Sequence, residues 1–148
     1  MTPALERRLL QAAVALGCVS PLWFGLRGMI EGPAMLEGVE PGQAAADLMS
    51  HYRYLSGLLF AAGLALLTCV PRIQCMTRRF RWVCAAIMLG GLARGLGFAL
   101  GDAPSVAHKI ALAAELGLVP LLVLWQARVA RASGSADQRG DEQARRPE

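Results

Sequence analysis

Apolar residues run in four unbroken blocks, 9–26, 54–70, 82–100 and 110–127, and charged residues gather in the joints between them. Each block is 17 to 19 residues long. At about 1.5 Å of rise per residue that makes about 26 to 29 Å of helix, close to the ~30 Å hydrocarbon thickness of a bilayer. Within the blocks stand just two charged residues, Arg94 and Glu115. A membrane β-barrel would need segments of about ten residues that alternate in polarity, and the blocks do not alternate. The pattern therefore predicts an all-α fold: a four-transmembrane-helix bundle, antiparallel and up-down, within a membrane domain of residues 1–131. The first block is expected to be a retained span and not a cleaved signal. Arg7 and Arg8 precede it, but the apolar run continues to Leu26 with no small-x-small site followed by polar sequence. After Arg131 the composition turns to Ala, Ser, Gly, Gln and mixed charges, which predicts a disordered cytoplasmic tail over 132–148.

Composition narrows the class further. Of 148 residues 55% are hydrophobic and 18% charged, against roughly a quarter charged in a soluble domain. The formal net charge is +4, but its distribution is topological. Arg7, Arg8, Arg72, Arg78, Arg79, Arg81, Arg128 and Arg131 fall on one side of the spans, and Arg27, Arg53 and Lys109 on the other. Basic residues favour the cytoplasmic side, so both termini are expected inside and the first and third joints outside, in a bacterial cytoplasmic membrane. Trp82 and Trp125 then mark the inner interface, and Trp23, Tyr52 and Tyr54 the outer one. A nucleic-acid partner is excluded, because that would need aromatics interleaved with charge on a soluble surface. The expected partners are membrane lipids and a second copy of the chain or another membrane protein.

An ionisable group in hydrocarbon costs about 2.5 to 3.5 kcal/mol on insertion scales, so Arg94 and Glu115 need an explanation. Counted from the outer ends of their blocks, they lie at depths of roughly 9 and 8 Å. Antiparallel neighbours would bring them level, and a pair would keep the carboxylate ionised. Gly90, Gly91 and Gly97 share the Arg94 side of their helix, and Gly91 with Gly95 forms a GxxxG spacing, so a second helix is expected to approach closely there. His108, Ala111 and Glu115 recur on one stripe, a polar track from the outer surface to the pair. Arg94, Glu115 and His108 are thus the candidate ligand site, read either as a clamp that fixes helix register or as a relay open to the outside.

A second polar cluster is expected at the outer face. Arg27 and Glu31 are four apart and suited to pair, and His51, Arg53 and Tyr54 begin the second helix at the same surface. The joint between them is punctuated by Gly28, Gly32, Pro33, Gly38, Pro41 and Gly42. Pro21 and Pro120 lie inside spans and are expected to kink them. Asp47, Ser50 and His51 do not make a triad, since neighbours on a helix diverge by about 100°. Cys18, Cys69, Cys75 and Cys84 have no CxxC spacing, and the histidines lie on the opposite side from the last three cysteines. No metal site, cofactor site or catalytic residue follows from the sequence.

Gly25-Leu26-Arg27-Gly28, Glu31-Gly32-Pro33, Arg53-Tyr54-Leu55-Ser56-Gly57, Gly90-Gly91-Leu92-Ala93-Arg94, Glu115 and the run Pro120 to Gln126 stand in order along the chain. With these motifs the chain resembles domain-of-unknown-function family 4345 from about Leu9 to Arg128. The resemblance implies a small four-helix bacterial membrane protein and implies no activity, substrate or cofactor. The functional expectation is a non-enzymatic membrane module that assembles or holds a lipid or small ligand. The alternative is a small proton-coupled or anion-binding transporter acting as a homo-oligomer.

Overall fold

A computed structural model describes residues 2–36 and 46–144, with side chains as far as Gly134. Helix α1 spans Pro3–Glu31, α2 Ala46–Leu67, α3 Thr77–Ala99, α4 Val106–Ala113 and α5 Val119–Ala144. A π-helical turn, Ala114–Leu118, joins α4 to α5 without a break, and 3-10 turns occupy Gly32–Met35 and Val70–Arg72. The fold is all-α. Among the described residues four helical stretches, Pro3–Met35, Ala46–Arg72, Thr77–Ala99 and Val106–Gly134, are long and apolar enough to cross a membrane, with mean hydropathy of 1.5 to 1.8. They carry the four apolar blocks and overrun most of their edges: α1 continues to Glu31, whereas α3 stops at Ala99. Helix α5 continues through residue 132, the expected start of a tail, to Ala144. Residues 145–148, and Gly38, Pro41 and Gly42 of the first joint, lie outside the described residues.

These helices leave most of their apolar surface uncovered. Leu89, Leu92 and Leu96 on one side of α3 are 68%, 59% and 61% exposed. A row of exposed leucines on a helix is costly in water and costs nothing in lipid.

The chain divides into two compact units, Met1–Ala12 with Pro71–Glu148, and Ala13–Val70. In the second unit the contact surface is made of small residues. Gly25 and Gly28 of α1 and Ser56 and Gly63 of α2 are buried. A Cβ placed on Gly25 would lie 2.7 Å from the Phe60 backbone nitrogen, and one on Gly63 3.1 Å from Pro21 Cγ. Gly28 faces the Ser56 side chain and the Tyr52 ring. Where lipid removes the hydrophobic drive for helix pairing, such close approach supplies the dispersion contacts instead. Helix α1 ends at Gly32, whose φ of +65° is the left-handed conformation that terminates helices. Pro21 is accommodated inside the continuous α1.

In the first unit Leu10, Ile73, Phe80, Cys84, Gln126 and Val129 are almost wholly buried. Two further ties hold the start of α1 there: Gln11 Nε2 donates to the Pro71 carbonyl at 3.3 Å, and Glu6 Oε1 lies 2.9 Å from Arg128 Nε. Helix α3 is closed by a Schellman motif. The Asp102 N–H donates to the Gly97 carbonyl at 3.1 Å and the Gly101 N–H to the Phe98 carbonyl at 3.2 Å. Gly101, at a φ of +106°, supplies the reversal that a residue with a Cβ would resist.

Glycine substitutions on α1 separate packing from propensity. Gly25→Ala is expected to destabilise the protein by about 1 to 3 kcal/mol, because the new methyl meets backbone that cannot rotate away. Gly17→Ala, where a Cβ would meet nothing within 4 Å, is expected to be neutral or to gain up to ~1 kcal/mol of helix propensity. Thermal unfolding of the purified variants in one detergent measures both.

Candidate functional site

The α3 reversal sets the register of everything beyond it. Five residues after Gly101 the chain is helical again at Val106, so α3 and α4 face each other from their shared joint. Lys109 Nζ lies 6.0 Å from the centre of the Phe98 ring. Deeper, a Cβ on Gly95 would touch Leu112 Cδ1 at 3.7 Å, and one on Gly91 would stand 2.8 Å from Glu115 Cβ and 3.0 Å from Leu116 Cδ2. Gly91 is therefore the position at which the opposite helix comes closest.

Arg94 and Glu115 meet at this level. Arg94 Nε donates to Glu115 Oε2 at 3.1 Å and Arg94 Nη2 to Oε1 at 3.2 Å. The fork of two parallel bonds fixes orientation as well as distance. The side chains retain 33% and 19% of their exposure, so the pair is sheltered but not sealed.

Glu115 stands in the π-helical turn, which the sequence reading did not foresee. The cause is Pro120. It has no N–H to offer, and in an α-helix its ring would strike the carbonyl of Leu116, four residues back. The helix widens instead, and the Val119 N–H reaches the Ala114 carbonyl five residues back. The extra residue rotates the face of α5 by about 100° against that of α4. Thus the kink expected at Pro120 is realised as a wide turn that carries the acidic residue of the site.

Of the glycines expected to admit the second helix, Gly91 does so, Gly95 makes an ordinary contact, and Gly97 faces the Asp102 carboxylate. Gly90 does not. A Cβ there would meet nothing within 4 Å, because one residue of helix turns it about 100° away from Gly91. His108 is not brought to the pair by any hydrogen bond among the described residues. Its Nδ1 lies 2.9 Å from Ser105 Oγ, which ties it to the residue just before α4.

The residues expected at the outer face separate into local contacts. Arg27 and Glu31 form a two-bond ion pair, Nε to Oε1 at 2.8 Å and Nη2 to Oε2 at 2.6 Å. The Arg53 guanidinium lies against Gly32, within 3.5 to 3.6 Å of where its Cβ would be. His51 and Tyr54 face one another with ring centres 6.4 Å apart. Tyr54 is 63% exposed and sits two residues, hence about 200° of helix, from buried Ser56.

Gln126 was missed as a site residue. It is fully buried, and its Nε2 donates to the Ile73 carbonyl at 2.9 Å and to Thr77 Oγ1 at 2.8 Å. Its one available signal was a lone amide within an apolar block, eleven residues beyond Glu115.

Arg94→Lys retains the charge but cannot reproduce the fork, and it is expected to cost about 1 kcal/mol. Gln126→Ala leaves the Ile73 carbonyl and the Thr77 hydroxyl without their donor and is expected to cost about 1 to 3 kcal/mol. Unfolding free energies in mixed micelles check both.

No curated protein and no solved structure matches the chain. The model of the family described as "Domain of unknown function (DUF4345)" matches residues 9–126, a stretch that reaches into all four apolar blocks and includes Arg94, Glu115 and Gln126, and the chain belongs to that family.

Proposed function

We propose that the protein is a non-enzymatic, multi-pass module of the bacterial cytoplasmic membrane, its helices antiparallel and both termini cytoplasmic. In this reading it assembles with itself or another membrane protein, or holds a lipid or small ligand. Arg94 and Glu115 act as a clamp. The observation that carries the reading is the two-bond contact between them across the α3–α4 joint, seated against Gly91. An arginine held by a carboxylate at matched depth stabilises the register of two helices without requiring a reaction. The charge asymmetry of the joints, eight basic residues against three, supports the orientation.

A second reading is favoured by the π turn at Glu115. Such turns recur at functional sites, and an acid set in one, partly exposed beside an arginine, suits proton-coupled or anion transport. Four helices are few for one protomer, so this reading requires a homo-oligomer.

Glu115→Gln distinguishes the two. The clamp predicts a fall in folded yield and thermal midpoint, because the Arg94 charge loses its counter-charge. A stable, well-folded Glu115→Gln protein that alters the pH dependence of anion or proton flux in liposomes overturns the clamp in favour of transport.

A further inference from the structure

At the start of α3 lies an open groove of about 490 Å3, lined by Cys75, Met76, Arg78, Arg79, Trp82 and Val83. Its arginines have no carboxylate partner among the described residues. The sequence holds no acidic residue between Asp47 and Asp102, and none of Arg72, Arg78, Arg79 and Arg81 forms an ion pair among the described residues. The first turn of α3 carries no acid, although the helix dipole favours one there. Among the described residues, then, no carboxylate offsets the repulsion among these arginines, and an anion at the groove would relieve it.

The second half of the groove is apolar. Trp82, 69% exposed, follows Arg78 by four residues and Val83 follows Arg79 by four, so each arginine has an apolar side chain one turn farther into the helix. Helical side chains lean towards the N-terminus. This carries the guanidinia to the end of the apolar stretch Thr77–Ala99, the level of the headgroups, while Trp82 and Val83 stay beside the first carbons of an acyl chain.

We propose that this groove binds one anionic phospholipid, with the headgroup phosphate held between Arg78 and Arg79 and the upper acyl chain against Trp82 and Val83. The combination of two cations and an exposed tryptophan at a span end matches an amphiphile with one charged end; a free phosphate would leave the apolar half unfilled. The proposal rests on the membrane reading above but not on the role of Arg94 and Glu115.

Trp82 itself reports occupancy. In a Trp23→Phe, Trp125→Phe background it is the sole tryptophan. The full chain is reconstituted in phosphatidylcholine vesicles containing phosphatidylglycerol, with bromine quenchers on one lipid or the other. Quenching is expected to give a relative affinity at Trp82 of at least about fivefold for phosphatidylglycerol, the effect of one basic residue beside an anionic surface. Arg78→Gln with Arg79→Gln is expected to reduce the ratio to near one, and the paired lysine substitutions to keep most of it. Arg7→Gln with Arg8→Gln is expected to leave it unchanged. Equal quenching by both lipids in the arginine-containing protein overturns the proposal, as does an equal loss on removing Arg7 and Arg8, which would mean diffuse attraction and no groove site. Failure of the protein to enter vesicles overturns the membrane reading as well.

Discussion

A guanidinium and a carboxylate share one level of an otherwise apolar hairpin, and that shared level constrains the architecture on either side of it. Each charge alone would cost about 2.5 to 3.5 kcal/mol in hydrocarbon. Together, with two bonds of 3.1 and 3.2 Å, they offset one another only if α3 and α4 are in register. Register comes from the Schellman reversal at Gly101 and the short return to Val106. Close approach comes from Gly91. The final placement of Glu115 comes from the wide turn that Pro120 forces. A shift of one residue in any of these would move a charge about 100° around its helix.

The sequence displayed some of this and concealed the rest for a physical reason. Helix positions were legible because a membrane span is recorded as a length of apolar residues. The contact of Arg94 with Glu115 was legible because depth can be counted from the ends of the blocks. Which face of each helix is covered was not, since leucines occupy covered and lipid-exposed faces alike. Gly90 and Gly91 are adjacent and identical in type, yet only Gly91 meets the opposite helix. Spacing placed His108 on the same stripe as Glu115, but it did not show the local contact with Ser105 that the ring makes. Gln126 carries no charge and so did not stand out, although it is more completely buried than either ion. Pro120 was noticed, but proline permits a kink or a wider turn, and only the surrounding contacts select between them.

Polar contacts in the first unit divide into two levels. Around Gln126 they tie the start of α1, the Pro71–Thr77 segment and α5 through Gln11, Glu6 and Arg128. Around Arg94 they tie α3 to the π turn. The hairpin is thus pinned near both ends. In the second unit the same task falls to glycines and one serine. Close approach at glycine is common to both units, and in the first it brings the ion pair together at Gly91.

A double-mutant cycle of Arg94→Gln and Glu115→Gln, read by reversible unfolding in bicelles, tests the central claim most directly. The account predicts a coupling of about 1 to 3 kcal/mol, with the double variant far less destabilised than the sum of the single ones. Additive single effects, with no coupling beyond experimental scatter, would contradict it.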